Sequence, residues 1–176
     1  MPRVTPAEIA AAIRNVPDFP KPGIQFKDIT PVLADARLFA GAIDLLTEKF
    51  KPGEVDAVVG IDARGFIFAA AAALKLQAGF IPVRKKGKLP FTTHEQDYAL
   101  EYGSATVAMH TDALKPGARV LLIDDLLATG GTAAAAIALM KKLHAQILEV
   151  GFLIELKFLH GREKLPGQPI RSIVVY

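Results

Sequence analysis

The 176-residue chain has no cysteine and no tryptophan. Without cysteine there is no disulfide framework, no thiol nucleophile and no thiolate zinc site, a composition that suits a reducing compartment. Long apolar runs are also missing. The most hydrophobic stretch, Phe66–Leu74, stops at Lys75 and is too short to cross a bilayer. Met1–Val16 lacks the apolar centre of a secretory signal. These absences predict a soluble, cytoplasmic protein with no membrane partner. His94, His110, His144 and His160 show no metal-ligand spacing. The net charge is only +3, which suits an anionic substrate and is too small to argue for nucleic acid. The length allows one domain over residues 1–176 with a sizeable core.

The most informative stretch is Val120-Leu121-Leu122-Ile123-Asp124-Asp125-Leu126-Leu127-Ala128-Thr129-Gly130-Gly131-Thr132. It opens as a strand buried on both faces, with two carboxylates expected to end the run. A glycine turn and the Ala-rich helix from Ala133 follow. This order puts polar groups at the carboxyl edge of a parallel sheet, where α/β folds bind ligands. Free N–H groups of Ala128–Thr132, with the hydroxyls of Thr129 and Thr132, form a cradle for one phosphate. Asp124 and Asp125 can accept hydrogen bonds from two vicinal ribose hydroxyls. Phosphate and ribose together define a sugar-phosphate site.

A second unit of the same kind lies upstream. Asp56–Ile61 reads as a strand, Asp62-Ala63-Arg64-Gly65 as a polar turn, and Phe66–Leu76 as a helix. Right-handed crossovers bring both turns to one sheet edge, so Asp62, Arg64, Asp124 and Asp125 converge. Arg64 suits bidentate recognition of a second phosphate group. Gly60–Gly65 is not a P-loop, because Phe66 stands where that motif needs lysine.

Around these units, Thr5-Pro6-Ala7-Glu8 predicts a capped helix carrying Ile9, Ile13 and Val16 inward and stopping before Pro17. Asp18–Pro31, with three prolines and a glycine, reads as irregular but packed. Asp35–Phe50 is an amphipathic scaffold helix. Phe80–Val83 is a short strand leading into the basic loop Arg84-Lys85-Lys86-Gly87-Lys88, and Leu89–Tyr98 reads as an irregular lid. Thr106–His110 has the alternation of a sheet-edge strand. Ile147–Leu156 and Ile170–Tyr176 supply further strands.

Ile123–Thr132 resembles the phosphoribosyl pyrophosphate motif of type I phosphoribosyltransferases, with the Leu126-Leu127 form typical of the adenine-specific members. The likeness extends over nearly the whole chain. Phe19-Pro20-x-Pro22-Gly23-Ile24-x-Phe26-x-Asp28-Ile29-Thr30-Pro31 is similar to the family's hood. The Arg84–Pro90 and Leu100-Glu101-Tyr102-Gly103 segments, and Gly161–Leu165, match as well. Family members often carry arginine at the place of Lys27 and an apolar residue at that of Gln25.

The resemblance implies an α/β fold, a central parallel sheet flanked by helices, with an N-terminal hood (mainly residues 1–34) and a flexible lid (about 86–103). It implies transfer of the phosphoribosyl group from phosphoribosyl pyrophosphate to adenine, giving AMP and pyrophosphate, with Mg²⁺ carried on the substrate and possible contacts to Asp124 and Asp125. Glu101 and Arg64 would be catalytic, and Tyr102 would help close the lid. Ala63, Arg64, Arg84, Lys85 and Lys88 would bind pyrophosphate, with a cis peptide near Asp62–Ala63. Gln25, Phe26, Lys27 and Leu156 would contact adenine. A homodimer is expected. The alternatives are a transferase for another base, or a regulator that senses phosphoribosyl pyrophosphate without catalysis.

Overall fold

The structure, a computed structural model, describes residues 3–99 and 103–176. The chain divides into two compact units, Met1–Leu45 and Leu46–Tyr176.

In the first unit, helix α1 (Pro6–Ala12) starts at the Thr5–Glu8 capping box, with Pro6 in its first turn. The helix ends earlier than the sequence suggested. Arg14–Pro17 leaves it as strand β1, pairing antiparallel with β2 (Gln25–Asp28). Val16 faces Phe26 across this ribbon rather than continuing the helix's inward face. Cross-strand pairing has overridden the local helical period. The proline-rich segment is likewise more regular than expected, holding β2 and the short helix α2 (Thr30–Ala34). Only its Asp18–Ile24 part is irregular, with a cis Phe19–Pro20 bond. Helix α3 (Ala36–Thr47) follows.

The second unit is built on a seven-stranded sheet in the order β5-β6-β4-β3-β7-β8-β9. Strands β3 (Ala57–Ile61), β4 (Gly79–Lys85), β7 (Arg119–Leu127), β8 (Gln146–Glu155) and β9 (Ile170–Val175) are parallel to one another. Strands β5 (Thr93–Ala99) and β6 (Ser104–His110) add on antiparallel. The parallel part reads as near-continuous apolar sequence because both faces are covered. Val59 and Ile61 of β3, with Val120 and Leu122 of β7, join the core that includes Ala136, Leu139 and Met140 of helix α5 (Gly131–Lys142). Gly60 turns the opposite way. A Cβ there would stand 2.7 Å from that of Ala69, so the missing side chain lets helix α4 (Arg64–Leu76) lie close on the sheet.

Three features of this unit differ from the sequence reading. Strand β7 does not stop at the acidic pair but runs through it to Leu127, because Asp124, Leu126 and Leu127 all pair with β8. The expected irregular lid contains β5, whose polar residues Thr93–Ala99 pair in register with β6. Edge strands tolerate such residues, since one side of their ladder faces outward. Strand β6 is therefore interior to the sheet, and β5 takes the edge.

Candidate active site

Strands β3 and β7 are parallel neighbours, pairing Gly60 with Ile123, so their carboxyl ends reach the same sheet edge. The turn after β3 carries Asp62, Ala63 and Arg64, and β7 leads through Asp124 and Asp125 to the Ala128–Gly130 turn. They enclose a crevice of about 370 Å³ lined by Ile61–Arg64, Tyr98, Asp124–Leu126, Ala128 and Thr132. A smaller hollow of about 80 Å³ adjoins it, bounded by Asp124 and Leu126–Ala133. A larger cavity, about 540 Å³, lies near the amino ends of the same strands, against Asp56, Gly79 and Lys115–Ala118. Its carboxylate, Asp56, is already held by Arg119. Charged groups converge at the carboxyl edge instead.

The polar turns are shaped by backbone. The Asp62–Ala63 peptide is cis, as the family resemblance led us to expect. Arg64 starts α4, and its Nε lies 2.8 Å from Asp125 Oδ2. Gly65 follows because a Cβ at that point would fall 2.4 Å from Asp124 Oδ1. Arg84 Nε donates to Asp62 Oδ2 at 2.9 Å, and Arg84 Nη1 donates to the Lys88 carbonyl at 3.0 Å. Arg84 and Lys85 are the last residues of β4 rather than loop residues, so the strand aims them at this edge. Lys86 points elsewhere and pairs with Glu95 at 2.7 Å.

The two aspartates do not behave alike. The Asp125 N–H donates to Asp124 Oδ1 at 2.9 Å. Burial pushes the Asp124 carboxyl well above the ordinary carboxylate range, and the neighbouring Asp125 charge adds to the rise. Burial also raises Asp125, but the Arg64 guanidinium opposes it. Burial thus disfavours the ionised form of both, and a cation or hydroxyl donors brought to the pair would favour it.

At the next turn Gly130 has φ +80 and takes the cap position of α5, where no side chain supplies a capping hydrogen bond. The first N–H groups of a helix lack intrahelical acceptors and attract anions. Thr129 and Thr132 stand half-buried beside them. Ala128, Thr129, Gly130, Gly131 and Thr132 are therefore brought together as expected, next to Asp124.

Other expected residues are placed as follows. Leu156 is half-buried, and its N–H donates to the Leu127 carbonyl at 2.9 Å, directly before the Ala128–Gly130 turn. Lys85 and Lys88 are exposed. In the first unit, Gln25 accepts a hydrogen bond from Asn15 Nδ2 at 2.8 Å, and Phe26 meets Phe19 edge to face at 5.1 Å. Lys27 is half-buried in β2. Glu101 and Tyr102 lie outside the described residues. Among the described residues, no three carboxylate or histidine side chains cluster to hold a metal.

Tyr98 was not singled out by sequence as a site residue. Its ring edge lies 3.3 Å from where a Gly131 Cβ would be, so the edge strand crosses the start of α5 and puts an aromatic at the crevice. The polar run of β5 carried no signal for it in the sequence, and the lid reading concealed it.

A parallel sheet whose carboxyl edge sets buried Asp125 and half-buried Asp124 beside a glycine turn opening a helix has the architecture expected of a sugar-phosphate transferase. Comparison with known proteins agrees. The family model described as phosphoribosyl transferase domain matches residues 27–166, and the chain belongs to this family. Among curated relatives, adenine phosphoribosyltransferase of Acidothermus cellulolyticus is 56% identical over 166 residues, 94% of each chain. The solved adenine phosphoribosyltransferase of Rhodothermus marinus is 50% identical, with a TM-score of 0.92 over 97% of this chain and 98% of that one. The enzyme from Saccharomyces cerevisiae, solved with adenine and an imino-altritol bisphosphate, is 41% identical with a TM-score of 0.90, covering 96% of this chain and 97% of that one.

Proposed function

We propose that this protein transfers the 5-phosphoribosyl group of phosphoribosyl pyrophosphate to adenine, giving AMP and pyrophosphate, a purine salvage reaction. The observation that carries the reading is the single crevice in which Asp124 and Asp125 adjoin the Ala128–Thr132 turn, with Arg64 at its wall. The adenine specificity rests on the relatives of the same name.

In this reading the 5′-phosphate lies on the N–H groups of Ala128–Thr132, and the ribose hydroxyls donate to Asp124 and Asp125. The bond from C1′ to pyrophosphate oxygen breaks as a purine nitrogen bonds to C1′, leaving positive charge on the ribose and carrying the electron pair to pyrophosphate. Ala63, Arg64, Arg84, Lys85 and Lys88 are assigned to that leaving group, where fixed cations offset its growing charge. The Arg64 and Arg84 guanidiniums pair with Asp125 and Asp62, two carboxylates that line the crevice, which supports this assignment. When bound with the substrate, magnesium would supply further neutralisation of the pyrophosphate. Asp124 and Asp125 would hold that ion, since both offer hard carboxylate oxygens at the crevice and magnesium commonly takes one or two carboxylates together with substrate phosphates.

The adenine contacts are assigned to Gln25, Phe26, Lys27 and Leu156 by family resemblance, and Tyr102 to closure of the lid over about residues 86–103. The hood is assigned mainly to residues 1–34. Glu101 is the proposed acceptor of the purine proton. A homodimer and a cytoplasmic location complete the proposal, the latter supported by the absence of cysteine.

The test is AMP formation from adenine, phosphoribosyl pyrophosphate and Mg²⁺, with hypoxanthine, guanine and uracil in parallel. Turnover on adenine alone is expected, and turnover on another base instead would overturn the base assignment. In the same assay Glu101→Gln should slow turnover by about 10²-fold or more, in the range of a lost general acid or base. Full activity would remove Glu101 from the chemistry.

A further inference from the structure

Glu155 ends β8 with its carboxylate buried, and three hydrogen bonds converge on it. Arg162 Nε donates to Oε1 at 2.7 Å and Nη2 to Oε2 at 2.6 Å, forming a fork, while Ser172 Oγ donates to Oε2 at 2.5 Å. Arg162 Nη2 also reaches Ser172 Oγ at 3.3 Å. None of these three side chains lines the crevice.

What the fork fixes is the turn before it. Gly161, adjacent to Arg162, is pressed against the phosphate loop from behind. A Cβ on Gly161 would fall 2.3 Å from the Ala128 carbonyl oxygen, and a Cβ on Gly130 would fall 2.3 Å from the Gly161 carbonyl oxygen. Two backbones meet here with no side chain between them. The register continues the link, since Glu155 pairs with Leu127, the residue before the loop. The buried carboxylate therefore ties the residue before the loop to the turn that supports the loop's middle.

We propose that Arg162, forked onto Glu155, is a positioning residue that seats Gly161 against the phosphate loop and so sets that loop's N–H groups for a sugar 5′-phosphate. The proposal rests on the sugar-phosphate reading of the crevice. It does not place Arg162 in contact with substrate. A bidentate guanidinium–carboxylate pair fixes both distance and plane, which one point charge cannot do.

An internal control exists on the same strand. Arg171 Nε lies 3.0 Å from buried Glu149, six residues earlier on β8 and thus roughly 20 Å from Glu155 along it. Breaking either pair leaves a buried carboxylate with fewer partners and lowers Tm. Only the Arg162 pair adjoins the phosphate loop.

The experiment measures ribose 5-phosphate binding by calorimetry in the wild type, Arg162→Gln, Arg162→Lys and Arg171→Gln, with a thermal melt of each. Arg162→Gln should weaken binding by ~10-fold or more, as small misplacements of binding groups do. Arg162→Lys should recover part of the loss, and Arg171→Gln should lower Tm while binding as the wild type does. In steady-state assays Arg162→Gln should raise KM for phosphoribosyl pyrophosphate more than it lowers kcat. Wild-type affinity in Arg162→Gln, or an equal loss in Arg171→Gln, overturns the positioning role and leaves the crevice reading intact. Failure of the wild type itself to bind ribose 5-phosphate overturns the crevice reading and the positioning role with it.

Discussion

Replacing Gly130 by alanine separates two costs that the proposed phosphate loop combines. Gly130 has φ +80, a left-handed backbone that costs an L-residue roughly 1–2 kcal/mol. Gly117 has the same φ of +80 with nothing within 4 Å of an added Cβ, so Gly117→Ala incurs that backbone cost alone. At Gly130 the new methyl also meets the Gly161 carbonyl oxygen at 2.3 Å. Ordinary contact needs about 1 Å more, and the obstacle is backbone that cannot rotate away, so overpacking adds about 1–3 kcal/mol. For a domain of this size 1 kcal/mol moves Tm by about 2–4 °C. Gly117→Ala should therefore lower Tm by a few degrees and leave catalysis unchanged. Gly130→Ala should lower it about twice as far and raise KM for phosphoribosyl pyrophosphate. Differential scanning calorimetry and initial rates of AMP formation read both effects. Equal Tm losses, or an unchanged KM in Gly130→Ala, would refute the close approach of the two turns.

Three further outcomes follow from the site. Burial holds the Asp124 carboxyl above its ordinary value of 3.8, so its ionised form opposes folding increasingly as pH rises from that value toward the raised one. Asp124→Asn should thus have a higher Tm than the wild type at neutral pH, by a margin that shrinks toward pH 4, while AMP formation is lost; a lower Tm for the variant at neutral pH contradicts this. Arg64→Lys keeps the charge but not the planar fork, and should reduce kcat/KM by about 10²-fold, in the range of a single lost transition-state donor; wild-type kinetics would remove Arg64 from the leaving-group contacts. Arg84→Ala should raise KM for phosphoribosyl pyrophosphate, whereas Lys86→Ala, whose exposed ammonium is taken by Glu95, should leave KM and Tm unchanged; equal effects would erase the distinction between these neighbours.

The parallel strands and the glycine turn before α5 were legible because their signals are local. The run Val120–Ile123 needs burial on both faces, and the Gly130-Gly131 turn before an Ala-rich helix has few other uses. The convergence of Arg64 with Asp125 followed from the topology of two strand–turn–helix units, and they lie within 2.8 Å. The β1–β2 ribbon was not legible. Arg14–Pro17 carries no alternation of its own and becomes a strand only by pairing with Gln25–Asp28. The β5 strand was hidden for the same reason, since a polar edge strand looks like a loop until its partner is known. Glu155 and Arg162 escaped notice as a pair because the fork joins residues whose individual types are ordinary at the surface.

The most direct test of the account is a crystal structure of the protein with AMP. It should show the 5′-phosphate on the N–H groups of Ala128–Thr132 and the ribose 2′- and 3′-hydroxyls on Asp124 and Asp125. AMP bound with its phosphate at Arg64 and Arg84, or bound outside this crevice, would contradict the assignment of the site.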